Sequence, residues 1–144
     1  QAVTRAQFTK MVVEALSIPE SDMELDFADV QKDMWYYPYL QRGAAAGIVQ
    51  GNADGTFAPN REITRQEMAV ILFRALKLST NEFSTSGDLN FVDEQDIASW
   101  AKEAVAAAAK AGLVKGFTDK TFRPKKTATR AQSAVVIYRL LQEH

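Results

Sequence analysis

The sequence predicts an all-α protein of helix-loop-helix repeats, assembled as three pseudo-equivalent units. Three observations lead there: residues recur at a fixed offset, apolar side chains recur at helical spacing, and capping residues bracket each candidate helix. The recurrence is the firmest. Gly51, Asp54, Phe57 and Pro59 are matched by Gly116, Asp119, Phe122 and Pro124, each 65 residues on. Trp35 and Gly47 match Trp100 and Gly112 at the same offset, and Thr64-Arg65-Gln66-Glu67 matches Thr129-Arg130-Ala131-Gln132. A third copy of that last motif, Thr4-Arg5-Ala6-Gln7, opens the chain.

Taken in order, Phe8, Met11, Val12, Ala15 and Leu16 make the apolar stripe of a first helix. A second helix is expected from about Tyr36 to Ala46, stopping at Gly47, with Pro38 in its first turn where a missing N–H costs nothing. Tyr36, Tyr37 and Tyr39 on it have no counterparts in the later repeat and are expected to be partly exposed without a functional role, the alternative being an aromatic contact with sugar. Met68, Ile71, Leu72, Ala75 and Leu76 give a third helix. Residues 97–111, rich in alanine and stopping at Gly112, give a fourth, and Val135, Val136, Leu140 and Leu141 a fifth. The alanine clusters, 44–46 and 106–109, allow a neighbouring helix to approach closely. The expected division is 1–18, the second helix of a repeat whose leading half is not in the sequence, then complete repeats over 19–80 and 81–144. Two polar stretches, Ser17 to Glu24 and Ser79 to Asp88, act as linkers.

Composition narrows the function. With 17 basic and 18 acidic side chains there is no basic footprint for nucleic acid, and anion recognition must be local. The absence of cysteine removes disulfides, thiolate metal sites and cysteine nucleophiles. No apolar run is long enough to span a membrane, and the chain opens on Gln1 without a signal peptide, as a piece of a longer protein would. The only histidine is His144, and no constellation suggests catalysis, a cofactor or a metal. One aspartate per loop, Asp54 or Asp119, falls short of a calcium loop and fits a tight turn.

The three Thr-Arg motifs each fit a capping box, threonine at the N-cap and Gln7, Glu67 or Gln132 at N3. The cap leaves the arginine unexplained. At N1 a guanidinium faces the positive end of the helix dipole, a placement costing about 0.3–1 kcal/mol at low salt. Arg5, Arg65 and Arg130 are therefore candidates for an anion site at a helix terminus, with Gln7, Glu67 and Gln132 as candidate ligand-binding residues beside them, or for salt bridges between units to an acid such as Asp29 or Asp93. Asp29 and Asp93, near the starts of their units, are expected to be caps or partners of an arginine and are themselves groove candidates. Trp35 and Trp100 are core anchors or sugar-facing platforms.

Phe27-Ala28-Asp29-Val30, Trp35, Gly47-Ile48, the run from Gly51 to Pro59 and Ile63 to Glu67 resemble the S-layer homology (SLH) repeat. Phe91-Val92-Asp93, Trp100, Gly112-Leu113, Gly116 to Pro124 and Ala128 to Gln132 resemble it again. The resemblance implies a pseudo-threefold assembly with grooves between neighbours, holding an exocellular or S-layer protein to the Gram-positive cell wall, outside the cell. It implies as ligand an anionic secondary cell wall polysaccharide, often carrying pyruvylated N-acetylmannosamine, whose carboxylate meets the motif's arginine, here Arg5, Arg65 and Arg130. Gln7 and Gln132 stand where the family often has Glu, and Phe117 and Lys120 replace the smaller Asn52 and Gly55, narrowing or silencing that groove. A helical protein-interaction module at the cell surface is the other reading of such grooves.

Overall fold

The computed structural model describes residues 1–79 and 90–143, so most of the second linker and His144 lie outside the described residues. Among the described residues there are five α-helices: α1 (Arg5–Ala15), α2 (Tyr37–Ala45), α3 (Arg65–Ser79), α4 (Ser99–Lys110) and α5 (Arg130–Glu143), with a single 3-10 turn at Glu94–Asp96. The all-α assembly expected from the repeat is what forms.

α1, α3 and α5 begin where the Thr-Arg motifs put them. The Gln7 N–H donates to Thr4 Oγ1 at 3.1 Å while Gln7 Oε1 accepts the Thr4 N–H at 2.8 Å. The same reciprocal pair joins Thr64 to Glu67 and Thr129 to Gln132. α2 and α4 end by one device. Gly47 (φ 81°) and Gly112 (φ 79°) turn left-handed, and the next amides, Ile48 and Leu113, donate back to Gly43 O at 2.9 Å and Ala108 O at 2.8 Å.

The segments just ahead of α1, α3 and α5 meet at the centre. Val3 N–H donates to Ala128 O (3.2 Å), Ala128 N–H to Ile63 O (2.9 Å), and Ile63 N–H to Val3 O (2.9 Å). These hydrogen bonds close a cycle of three, reinforced by the bridges Thr4–Glu62, Thr64–Thr127 and Ala2–Thr129. The three central side chains are almost fully buried, which makes them the axis of a pseudo-threefold arrangement.

Around that axis α1 packs on α2 and α3 on α4, over a core that includes Phe8, Leu40, Phe57, Met68, Leu72, Leu113 and Phe122. Small residues bring α4 close: Phe73 beds against Ala104 and Ala107. Tyr36 and Tyr37 are buried, contrary to the expectation of partly exposed tyrosines, because the first turn of α2 faces the core cluster; Tyr39 alone stays partly open. α5 keeps Val136 and Leu140 inside, but Val135, Tyr138 and Leu141 are exposed. Their equivalents on α3 include Phe73 and Leu76, which are buried.

Candidate functional site

The loop after each glycine stop is a repeated turn. Asn52 N–H donates to Thr56 O, and Asp54 Oδ1 accepts both the N–H and the hydroxyl of Thr56. Asp119 treats Thr121 identically, and those hydrogen bonds, with the nearby Arg123 guanidinium, pull its carboxyl down to about 2. Asp29 and Asp93 then fix the end of the turn. Asp29 Oδ1 accepts the Phe57 N–H and Oδ2 the Ala58 N–H; Asp93 does the same for Phe122 and Arg123, at 2.8 and 2.9 Å. Ala58 (φ 57°) and Arg123 (φ 59°) sit in the left-handed region, which a bidentate carboxylate stabilises against its steric cost. These two aspartates are loop clamps, with neither of them paired to a motif arginine.

That turn leaves the carbonyl of Phe57 or Phe122 aimed at the preceding Thr-Arg helix, Phe57 O at α1 and Phe122 O at α3. Arg5 is buried, its Nε donating to Phe57 O at 2.8 Å and its Nη1 to Glu67 Oε2 at 2.9 Å. Arg65 is equally buried. Its Nε donates to Phe122 O at 2.7 Å and its Nη2 to Lys115 O at 2.9 Å, while its guanidinium lies 4.7 Å from the centroid of Phe117. Arg130, the third of the set, is exposed and meets no such loop. Burial lowers the pKa of Arg5 and Arg65, an effect the nearby Glu67 opposes for Arg5.

The helix-terminus site expected from the sequence is altered in one respect. The free amides of α1 and α3 are already taken by neighbouring backbone, Arg5 N–H by Arg61 O and Ala6 N–H by Pro59 O, with Lys126 and Pro124 serving α3. An anion would therefore meet side chains rather than helix amides. The salt bridge between units also exists, among the described residues only at Arg5 and through Glu67, which in addition pairs with Arg61.

Two clefts open beside these arginines. The first, about 390 Å³, is lined by Arg5, the loop from Val49 to Ala53, Glu67, Arg74 and Trp100. The second, about 300 Å³, is lined by Arg65, Lys115, Phe117, Gln132, Val135 and Arg139. Phe117 narrows the second without closing it. Trp100 (61% exposed) and Trp35 (47%) lie at the surface and are not core anchors. Trp35 lies with Lys10 and Tyr39, apart from both clefts. Gln7 is engaged in its cap and lines neither cleft. Sequence reasoning missed Arg74 and Arg139, although their shared offset of 65 residues was a usable signal, and it missed Lys115. Among the described residues no cluster could hold a metal ion, and no helix is long and apolar enough to cross a membrane.

Residues 26–69 and 90–134 match the S-layer homology domain. The chain is 39% identical to an exoglucanase of Acetivibrio thermocellus over 99% of its own length and 13% of that protein. It is 35% identical to an S-layer protein of Bacillus thuringiensis subsp. finitimus, over 94% of the chain and 16% of the relative. It is 28% identical to a cellulosome-anchoring protein of Acetivibrio thermocellus, over 97% of the chain and 32% of the relative. The chain thus spans a third or less of each of these relatives. Two matched stretches that cover most of the sequence, on an all-α fold with a repeated capping motif, place this chain in the S-layer homology domain family.

Proposed function

We propose that the chain holds an exocellular protein to the Gram-positive cell wall by binding an anionic secondary cell wall polysaccharide, pyruvylated on its sugar. Cell-surface anchoring is the common property of the family, and the relatives support it. An exoglucanase, an S-layer protein and a cellulosome-anchoring protein share this stretch and little else by name, so the stretch serves attachment rather than the chemistry of any one of them. The observation that carries the anionic ligand is the second cleft. Arg65, Lys115 and Arg139 line it, and among the described residues no carboxylate does. A sugar acid entering it would meet a cation fixed by two backbone carbonyls, so little ordering entropy remains to be lost on binding.

The experiment is co-sedimentation with wall sacculi before and after acid extraction of their non-peptidoglycan polymers. Retention that disappears on extraction is expected. Retention that survives it would point to a protein or peptidoglycan partner and refute the proposal.

A further inference from the structure

The stretch 115–126 breaks the likeness between the two complete repeats. Lys115, Lys120, Arg123, Lys125 and Lys126 stand where the earlier repeat has Gln50, Gly55, Ala58, Asn60 and Arg61. Five cations and one acid, Asp119, thus replace one cation and one acid, Asp54. The chain as a whole has a formal net charge of −1, so the excess is local. The backbone is the same in both copies. Phe117 N–H donates to Thr121 O at 2.8 Å as Asn52 N–H does to Thr56 O at 2.7 Å, and Arg123 keeps the left-handed φ of Ala58, 59° against 57°. Lys120 holds φ 67° where the earlier repeat has Gly55 at 84°, a conformation that glycine adopts without steric cost. The turn forms without these side chains, so its folding does not account for them. Nor do contacts within the chain. Arg123 pairs with Asp119 at 3.2 Å and lies 3.9 Å from the Phe117 centroid. The four lysines are exposed, and among the described residues none of them makes an ion pair. One end of the stretch is the rim of the second cleft, which Lys115 and Phe117 line; Lys120, Lys125 and Lys126 lie outside it.

We propose that residues 115–126 form a cationic ledge that grips the polysaccharide strand outside the cleft, by engaging the negative charges of repeat units next to the one seated inside. The inference rests on the anionic-polysaccharide reading above, and it concerns how much of the strand is held rather than which sugar enters the cleft. A polymer with a charge on each repeat unit presents those charges in series, and seating one of them brings the others near whatever borders the rim. Each later contact is then intramolecular, so individually weak pairs add to the affinity through effective concentration. Lysine suits that task. Its compact charge on a flexible stem tolerates variable spacing, where an arginine fork demands one planar geometry. Exposed pairs of this kind are weak singly and screened by salt, so the ledge acts through their number. The equivalent stretch 50–61, with its single cation and single acid, offers no such grip.

The test titrates the whole chain by calorimetry with two probes: pyruvylated N-acetylmannosamine as a monosaccharide, and the polymer released from wall sacculi by acid extraction. The variant combines Lys120→Gly with Lys125→Asn, which installs the earlier repeat's residues at two positions that do not line the cleft. Its melting temperature is expected to be no lower than the parent's, since glycine relieves the left-handed backbone at residue 120. Its affinity for the polymer is expected to fall roughly two- to thirtyfold at low salt, the effect of two exposed charges. The salt dependence of that affinity becomes shallower, and affinity for the monosaccharide stays as it was. Unchanged polymer affinity in the variant would overturn the ledge. Equal losses for polymer and monosaccharide would overturn it too, because the two lysines would then act on the cleft and not on the strand beyond it. Binding of neither probe by the parent chain would instead bring down the polysaccharide reading itself.

Discussion

Replacing Arg65 and Arg130 separately by alanine compares one residue of one motif in two surroundings. Truncating Arg65 removes its bonds to Phe122 O at 2.7 Å and Lys115 O at 2.9 Å. Hydrogen bonds from a charged donor contribute about 1.5–3 kcal/mol each. Phe122 is buried, so its carbonyl loses the full amount, whereas Lys115 is exposed and water re-solvates its carbonyl. Removing a cation from the first helical turn returns about 0.3–1 kcal/mol. The net loss is about 0.5–2.7 kcal/mol. At about 2–4 °C per kcal/mol for a chain of this size, the melting temperature falls by roughly 1–11 °C. Arg130, exposed at the same position of its helix, should change stability by no more than about 0.5 kcal/mol. Urea unfolding followed by far-ultraviolet circular dichroism gives both values. Equal midpoints for the two variants would refute the structural role assigned to the buried guanidinium.

Leu76 and Leu141 are equivalent by the 65-residue offset, yet Leu76 is buried and Leu141 is 45% exposed. Leu76→Ala should cost about 2–5 kcal/mol and Leu141→Ala under about 1 kcal/mol by the same unfolding assay. Burial of Glu67 opposes its ionisation, but hydrogen bonds from Arg61 and the Thr64 N–H, with the charge of Arg5, outweigh it and hold the carboxyl below its usual 4.5. A depressed folded pKa stabilises above the unfolded value and is lost as pH falls through the folded one. The stability gap between the parent chain and Glu67→Gln should therefore be full at about pH 6 and shrink steadily below about pH 4.5. A gap unchanged at about pH 3 would show that the pairing contributes nothing.

Much of this architecture was legible in the chain because its signals are local. A capping threonine and its N3 partner lie three residues apart, and a helix-ending glycine acts on its own turn, so the helix boundaries were readable to within a few residues. The arginines were recognisable as anomalies, but their targets were not. The carbonyl that receives Arg65 lies 57 residues away and is aimed only once Asp93 has clamped the loop. Asp29 and Asp93 were readable as caps or arginine partners, but which amides they hold was not, since those lie 28–30 residues along the chain. Tyr36 and Tyr37 looked idle because the repeat does not preserve them, yet packing uses shape that a repeat need not copy. Trp35 and Trp100 are the reverse case: large apolar side chains in repeated positions, kept at the surface.

The hydrogen-bonded cycle of Val3, Ile63 and Ala128 draws on three distant points of the chain, and each donates to the next. A cycle has no free end from which to fray, so losing any one member strips a partner from both of the others. Such a clasp holds or releases as a whole. Under load this fold should let go in a single event, without shedding one repeat and hanging on by the next.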